Sequence, residues 1–416
     1  MSEGLLAGTP RALTPTGWSW RRLGDLASEV AERANGVEYP VLSVTKHRGI
    51  VRAEDYFKKA VHGRETSNYK VVRRGQFAYA TIHLDEGSIG CLRDDDAGIV
   101  SPMYTVFDLR DGIEREYLLR VLKQPASLAT YRTLAQGTVN RRASIGFTSL
   151  ASLHALIPPL AEQRKIAAIL SSVDDAIEAS QAVIDQLRVV KKAMMAELLT
   201  KGIPGRHKKF KPTEIGLVPE EWALGTMDEL ASFSGGNGFT PRDWSPRGLP
   251  IIRIQNLNGS LDFNYYAGTP EPDWLVEPGE LLFAWAGSRG ASFGPCLWPG
   301  PKGVLNQHIH RIAPRTTVRK HYLFFLLREI TEKIEKRAHG FKDTLVHLRK
   351  GELTSWPVAL PTLAEQDRIV DVLQEIEQRL SVEEEFLACQ RSTKSALMSV
   401  LLTGEVRVRL DEEAAA

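Results

Sequence analysis

Two sets of side chains in this 416-residue sequence combine cations with planar amides. Lys46, Arg48, Lys70, Arg73, Arg74, Arg141 and Arg142 lie in the first half; Arg253, Gln255, Asn256, Arg289, Asn306, Gln307 and His308 lie in the second. Ammonium and guanidinium groups pair with phosphate, Arg also matches the acceptor edge of guanine, and Asn or Gln makes two hydrogen bonds to adenine. The chemistry that suits both sets is contact with nucleic acid. Taken alone, each of these residues reads first as a solvated or turn-stabilising side chain, so only the clusters carry the expectation.

Bond-making chemistry finds no comparable support. The chain has no GxxxxGK[ST] loop and no HExxH pair. An amino-methyltransferase is expected to carry Asn or Asp before Pro-Pro-aromatic, yet no Asn-Pro or Asp-Pro dipeptide occurs. Phe233-Ser-Gly-Gly-Asn-Gly238 follows no adequate strand and reads as a turn, not a cofactor loop. His308 and His310 read as strand neighbours facing one way without a carboxylate or Cys to complete a metal set. No catalytic group, metal ligand or cofactor is therefore assigned to this chain.

Positioning such clusters requires a frame, and the sequence writes one twice. Pro159-Leu-Ala-Glu-Gln163 recurs as Thr362-Leu-Ala-Glu-Gln366, an offset of 363 − 160 = 203. The offset holds from Ile166/Ile369 through Lys191/Lys394 and Met195/Met398 to Leu198-Leu-Thr200/Leu401-Leu-Thr403. Apolar residues at 166, 170, 173, 177, 184, 187, 194 and 198 recur in steps of three, four and seven, the spacing of a long helix with one apolar stripe. The copy repeats this at 369, 373, 376, 380, 387, 397 and 401, with Gln390 where the first has Leu187. Prolines before each segment, acid in the first turns and a Thr362-x-x-Glu365 capping box mark the starts.

Each helix follows roughly 135 residues of short β-rich runs broken by Gly, Pro, Asn and Asp. Strands are expected within 39–45, 69–79 and 98–107, with a short helix over 114–122. The second half repeats the order at 250–255, 275–285 and 304–312, then a helix over 321–330. Trp18 and Leu26-Ala27 recur as Trp222 and Leu230-Ala231, and Gly137 as Gly340, so whole half-chains are related. Residues 1–15 read as a loose leader, and 201–211 as a cationic connector.

The totals set outer limits. Net charge is only +2, so any basic surface is local. Three scattered cysteines argue for a reducing compartment, and no apolar run is long enough to span a bilayer. A cytoplasmic protein is expected.

Together, Pro-Pro-Leu-Ala-Glu-Gln-Arg-Lys-Ile-Ala-Ala-Ile-Leu (158–170), its second copy, Thr213-Glu-Ile-Gly-Leu-Val-Pro-Glu-Glu-Trp222 and Leu305-Asn-Gln-His-Ile-His-Arg-Ile312 resemble the specificity subunit of type I restriction-modification systems. The resemblance spans about Trp18 to Gly404. It implies an α+β fold: two globular α/β target-recognition domains separated by two long antiparallel coiled-coil helices, pseudo-twofold symmetric. The corresponding boundaries are 1–156 and 203–358 for the domains, 157–202 and 359–404 for the helices, and 405–416 for a tail. It further implies a non-catalytic reader of a bipartite, asymmetric site in double-stranded DNA, assembled with two methyltransferase subunits and restriction motor-nuclease subunits. S-adenosylmethionine and ATP/Mg would sit on those partners. Leu160, Glu162, Gln163, Ile166 and Leu363, Glu365, Gln366, Ile369 match the regions such proteins use for folding and assembly. The competing expectation is a coiled-coil scaffold whose β-rich heads bind protein.

Overall fold

The computed structural model describes residues 5–6, 14–57, 65–136, 144–288, 290–337 and 345–410. Arg141, Arg142 and Arg289, and both Gly137 and Gly340, lie outside them. The chain forms two units, one from Met1–Gln181 with Phe386–Ala416, the other from Ala182–Glu385. The boundary between the units falls near the middle of each long helix, at Gln181/Ala182 and Glu385/Phe386. Helix ends with buried Ile166, Leu170 or Leu198, Leu199 belong to the domain cores, which is why they cluster there.

In the first unit, Ser19–Arg22 pairs antiparallel with His154–Ile157 and closes the neck of the inserted domain. A four-stranded antiparallel sheet follows in the order Ala27–Val30, Tyr104–Leu109, Phe77–Ala80, Ile89–Cys91. Helices α1 (Arg115–Lys123) and α2 (Pro125–Gln136) flank it. The long helix α3 (Leu160–Lys201) begins here. The expected leader is partly structural: Leu6 is fully buried, its N–H donates to the His154 carbonyl at 2.9 Å, and its own carbonyl accepts from Gln124 and Ser127.

The second unit repeats the plan. Ala223–Thr226 pairs with Pro357–Leu360, and the four-stranded sheet runs Ala231–Gly235, Ile309–Pro314, Leu281–Ala284, Gly294–Leu297. The unit adds helix α4 (Lys320–Arg337) and the start of α5 (Leu363–Leu401). Its second sheet, centred on Leu249–Ile252 parallel to Gly303–Leu305, ends before Arg253. The expected strand over 250–255 therefore breaks, and Ile254–Leu257 is a helical turn. Phe233–Gly235 is strand, not turn. The cationic connector folds onto this unit through the hairpin Phe210–Thr213/Gly216–Pro219.

Within the first unit, Lys394 of α5 pairs with Asp174 of α3 at 2.5 Å and Arg391 with Gln181 at 3.1 Å. Within the second, Arg188 meets Glu384 at 2.7 Å and Lys191 meets Glu377 at 2.6 Å. In both, α3 numbering rises as α5 numbering falls, so the helices run antiparallel. No residue of the expected apolar stripes is exposed, while off-stripe Val183, Val189 and Val382 are. Gln390 leaves a buried carbonyl oxygen unpartnered among the described residues, the polar flaw expected where it replaces an apolar residue.

Candidate nucleic-acid interface

Strands Leu42–Thr45 and Gly49–Arg52 form a hairpin whose tip is Lys46-His47-Arg48. Thr45 fixes the tip: its hydroxyl donates to the Gly49 carbonyl at 3.1 Å and accepts the Arg48 N–H at 3.0 Å. Lys123 of α1 donates to the Lys46 carbonyl at 3.0 Å. Lys46 and Arg48 are exposed and face no carboxylate among the described residues.

The other described cations of the first set have internal partners. Lys70 donates to the Tyr104 carbonyl at 2.7 Å, Arg73 pairs with Glu32 at 2.6 Å, and Arg74 with Asp96 at 2.8 Å. These partners occupy the groups that the sequence reading assigned to phosphate and give them a role in stapling strand ends. Periodicity and composition carry no signal for such pairings, because Glu32 and Asp96 come from separate loops.

In the second unit the Asn306-Gln307-His308 turn joins Gly303–Leu305 to Ile309–Pro314. Trp285 holds it from one side, its indole N–H donating to the Gln307 carbonyl at 3.2 Å while its ring packs on His308 and His310 at 5.2 and 6.2 Å. From the other side the Gly236–Gly238 loop approaches so closely that a Cβ on Gly236 would lie 2.3 Å from the carbonyl oxygens of Leu305 and Asn306. The Gln307 side chain is exposed at the tip, 3.3 Å from His308 Nε2, and Asn306 is half-buried. Both histidines pack against the Trp285 ring, His310 stacked and His308 tilted; the described residues hold no group of three or more His, Cys, Asp and Glu suited to a metal.

Asn256 is placed differently from the expectation. It is buried, accepts the Arg253 N–H at 2.9 Å and donates to the Ser260 and Asp262 carbonyls at 3.0 Å each, so its amide is consumed in holding a loop. Gln255 is exposed with a 3.3 Å bond to the Asp262 carbonyl. The Arg253 guanidinium lies over the Trp244 ring, 5.5 Å from its centre. Trp285 and Trp244 escaped the sequence reading; the available signal was a large aromatic beside an amide-rich turn.

The helix-start residues are internal. Glu162, Gln163, Ile166, Glu365, Gln366 and Ile369 are buried, whereas Leu160 and Leu363 keep partial exposure. Gln163 accepts the Glu114 N–H and donates to the Pro158 carbonyl; Gln366 does the same with Arg319 and Pro361. Glu365 does not close the anticipated capping box. Its carboxylate turns to Trp222, at 3.2 Å, and His207, at 2.7 Å.

This doubled architecture is matched by known proteins. The family model for the type I restriction modification DNA specificity domain matches residues 15–188 and again 219–388. The chain belongs to the type I restriction-modification DNA specificity family. A putative type I restriction enzyme MjaX specificity subunit of Methanocaldococcus jannaschii is 30% identical over 310 residues, covering 72% of this chain and 70% of that one. The MjaVIII specificity subunit of the same organism is 28% identical over 265 residues, 61% of this chain and 62% of the relative. Among solved structures, a chain from work on complex assembly and conformational transition of the type I R-M system aligns with TM-score 0.61 at 17% identity, over 94% of this chain and 99% of its own. The S subunit from M. genitalium aligns at 0.52 and 13%, over 96% and 99%. Members of the specificity family recognise DNA and are not themselves catalytic, and this chain carries two such domains. Among the described residues, no helix is long and apolar enough to cross a membrane.

Proposed function

We propose that the two domains read two different half-sites of one bipartite, asymmetric duplex sequence, and that the α3–α5 pair sets the unspecified gap between them. The observation that carries this reading is sameness of frame with difference of tip. Both sheets have the same strand order and both necks the same pairing, yet the inserts expose different groups at different places: Lys46-His47-Arg48 at the Leu42–Arg52 hairpin of one, and Asn306-Gln307-His308 before the second sheet strand of the other, where the first has Ser101-Pro102-Met103. A cationic tip favours phosphate and guanine; an amide tip favours adenine.

The partners are two methyltransferase subunits, which bind S-adenosylmethionine and flip adenine for N6 methylation, and motor-nuclease subunits that use ATP/Mg. Solvent-facing Val183, Val189 and Val382, at 44%, 62% and 53% exposure, support docking along the helices. Co-purification with the methyltransferase followed by sequencing of methylated DNA tests the reading. A split motif is expected, and lengthening both helices should widen its gap with the half-sites unchanged. A continuous motif, or no salt-sensitive DNA binding by the assembled complex, would favour a protein-binding scaffold instead.

A further inference from the structure

The first unit contains a cleft of about 1200 Å³ bounded by the Lys46–Arg48 tip, residues 89–94, helix α1, the start of α2 and the last turns of α5. Seven Lys and Arg line it against three carboxylates, Asp94, Asp174 and Glu405. Three of the cations have carboxylate partners: Arg93 pairs with Glu116, and Arg120 and Lys394 share Asp174. Lys46, Arg48, Lys123 and Arg391 have no carboxylate partner among the described residues. Lys123 is also pushed down to about 8 by burial and by Lys394, Arg120 and Arg93, as an ammonium lacking a counter-ion should be.

The second unit holds the counterpart, and the comparison is informative. By the same offset of 203, Arg188, Lys191 and Met195 correspond to Arg391, Lys394 and Met398, and Glu377 to Asp174. There the pocket is only about 420 Å³. Each of its cations has a carboxylate: Arg188 with Glu384 at 2.7 Å, Lys191 and Arg328 with Glu377 at 2.6 and 2.5 Å, and Lys192 with Glu332 at 3.2 Å. The position of Glu384 is occupied in the first unit by Gln181, which accepts from Arg391 at 3.1 Å and leaves its charge uncompensated. One frame has been closed with carboxylates in one unit and left open and cationic in the other.

We propose that this open cleft seats the phosphodiester backbone of the DNA duplex, so that α5, a helix otherwise cast as a spacer, contributes affinity independent of sequence. The inference rests on the DNA-reading function above and adds the place where the backbone is held. No Phe, Tyr or Trp lines the cleft, so a free nucleotide would find no large aromatic platform on which to stack its base. Arg391 and the Lys46–Arg48 tip stand at the rim, where they reach phosphate without being buried.

The test uses the full chain in complex with its methyltransferase, titrated with a duplex carrying the methylated motif and with an unrelated duplex over a range of salt. Arg391→Gln should weaken both duplexes by similar factors and reduce the slope of log K against log salt by roughly 1. Gln181→Glu, which copies the closed unit, should reduce it by about 1. The methylated motif should be unchanged. Wild-type slopes in these variants would overturn the proposal while leaving the DNA-reading function intact; no salt-dependent binding by the wild-type complex would remove both. Loss of the methyltransferase from the variants would mean that the cleft takes an acidic protein surface, and displacement of the duplex by equimolar ATP would mean a nucleotide site. Either result would overturn it.

Discussion

The indole N–H of Trp222 donates to the buried carboxylate of Glu365 at 3.2 Å, and the same bond joins Trp18 to Glu162 at 3.1 Å. In each case a side chain from the segment that leaves the other long helix completes the site. His207, just beyond α3, reaches Glu365 at the start of α5; Arg407, just beyond α5, reaches Glu162 at the start of α3 with its Nε at 3.0 Å. The start of one helix and the exit of the other are thereby clamped together within each unit.

Removing the carboxylate should therefore expose the cost of a buried, unpaired partner. Glu365→Ala is expected to lower stability by about 1–3 kcal/mol for each buried group left unpaired, seen as a drop in the urea midpoint. Glu365→Gln, which keeps an acceptor for Trp222, should lose less. Equal losses in the two variants would show that packing, not hydrogen bonding, sets the effect.

Acid should act on a second carboxylate. Burial works against the charge of Glu377, but Lys191 and Arg328 outweigh it and hold its pKa below the usual Glu value. A depressed carboxylate pKa gives stability that is complete above the unfolded value, near 4.3, and is lost as pH falls through the folded one. The stability gap between wild type and Glu377→Gln should be constant above about pH 5 and shrink below pH 4 in denaturant titrations.

How much of this was legible beforehand depended on range. The helices were readable because their periodicity and 203-residue offset are local or repeated signals; the necks were not, because each pairs strands more than 130 residues apart, and Trp18 and Trp222 marked only that the halves repeat. The carbonyl that claims Lys70 and the ion pairs that claim Arg73 and Arg74 come from segments distant in sequence, so these cations looked free. Asn256 misled for a related reason: an amide fit for adenine is equally fit for capping three residues of its own loop. Glu365 was read as a cap because Thr362-x-x-Glu is a local pattern, whereas its tertiary partners offered more.

Gln307 is the exposed amide of the second tip. Gln307→Ala should change or relax the half-site read by the second domain at a cost of about 1–3 kcal/mol, with the first half-site and the gap intact. Sequencing of methylated DNA would reveal it, and a change confined to the first half-site would reverse the assignment of tips.

Lys123 provides a signature at alkaline pH. Its pKa of about 8 lies below the unfolded value, so its charge is a burden on the fold below pH 8, relieved as pH rises toward 10. The other charges of the cleft are Lys46, Arg48, Arg93, Arg120, Arg391 and Lys394 against Asp94, Asp174 and Glu405, with His47 beside the first two. Wild type should gain stability relative to Lys123→Met between pH 7 and 10, and saturating duplex should diminish that gain by supplying the missing anion. Thermal unfolding with and without DNA measures both.

The necks have one last implication. Residues 23–153 and 227–356 each enter and leave through a single antiparallel pair, Ser19–Arg22 with His154–Ile157 and Ala223–Thr226 with Pro357–Leu360. A reader grafted whole onto such a stem leaves the long helices uncut. The vocabulary of such a protein can be rewritten cassette by cassette while its grammar stays fixed.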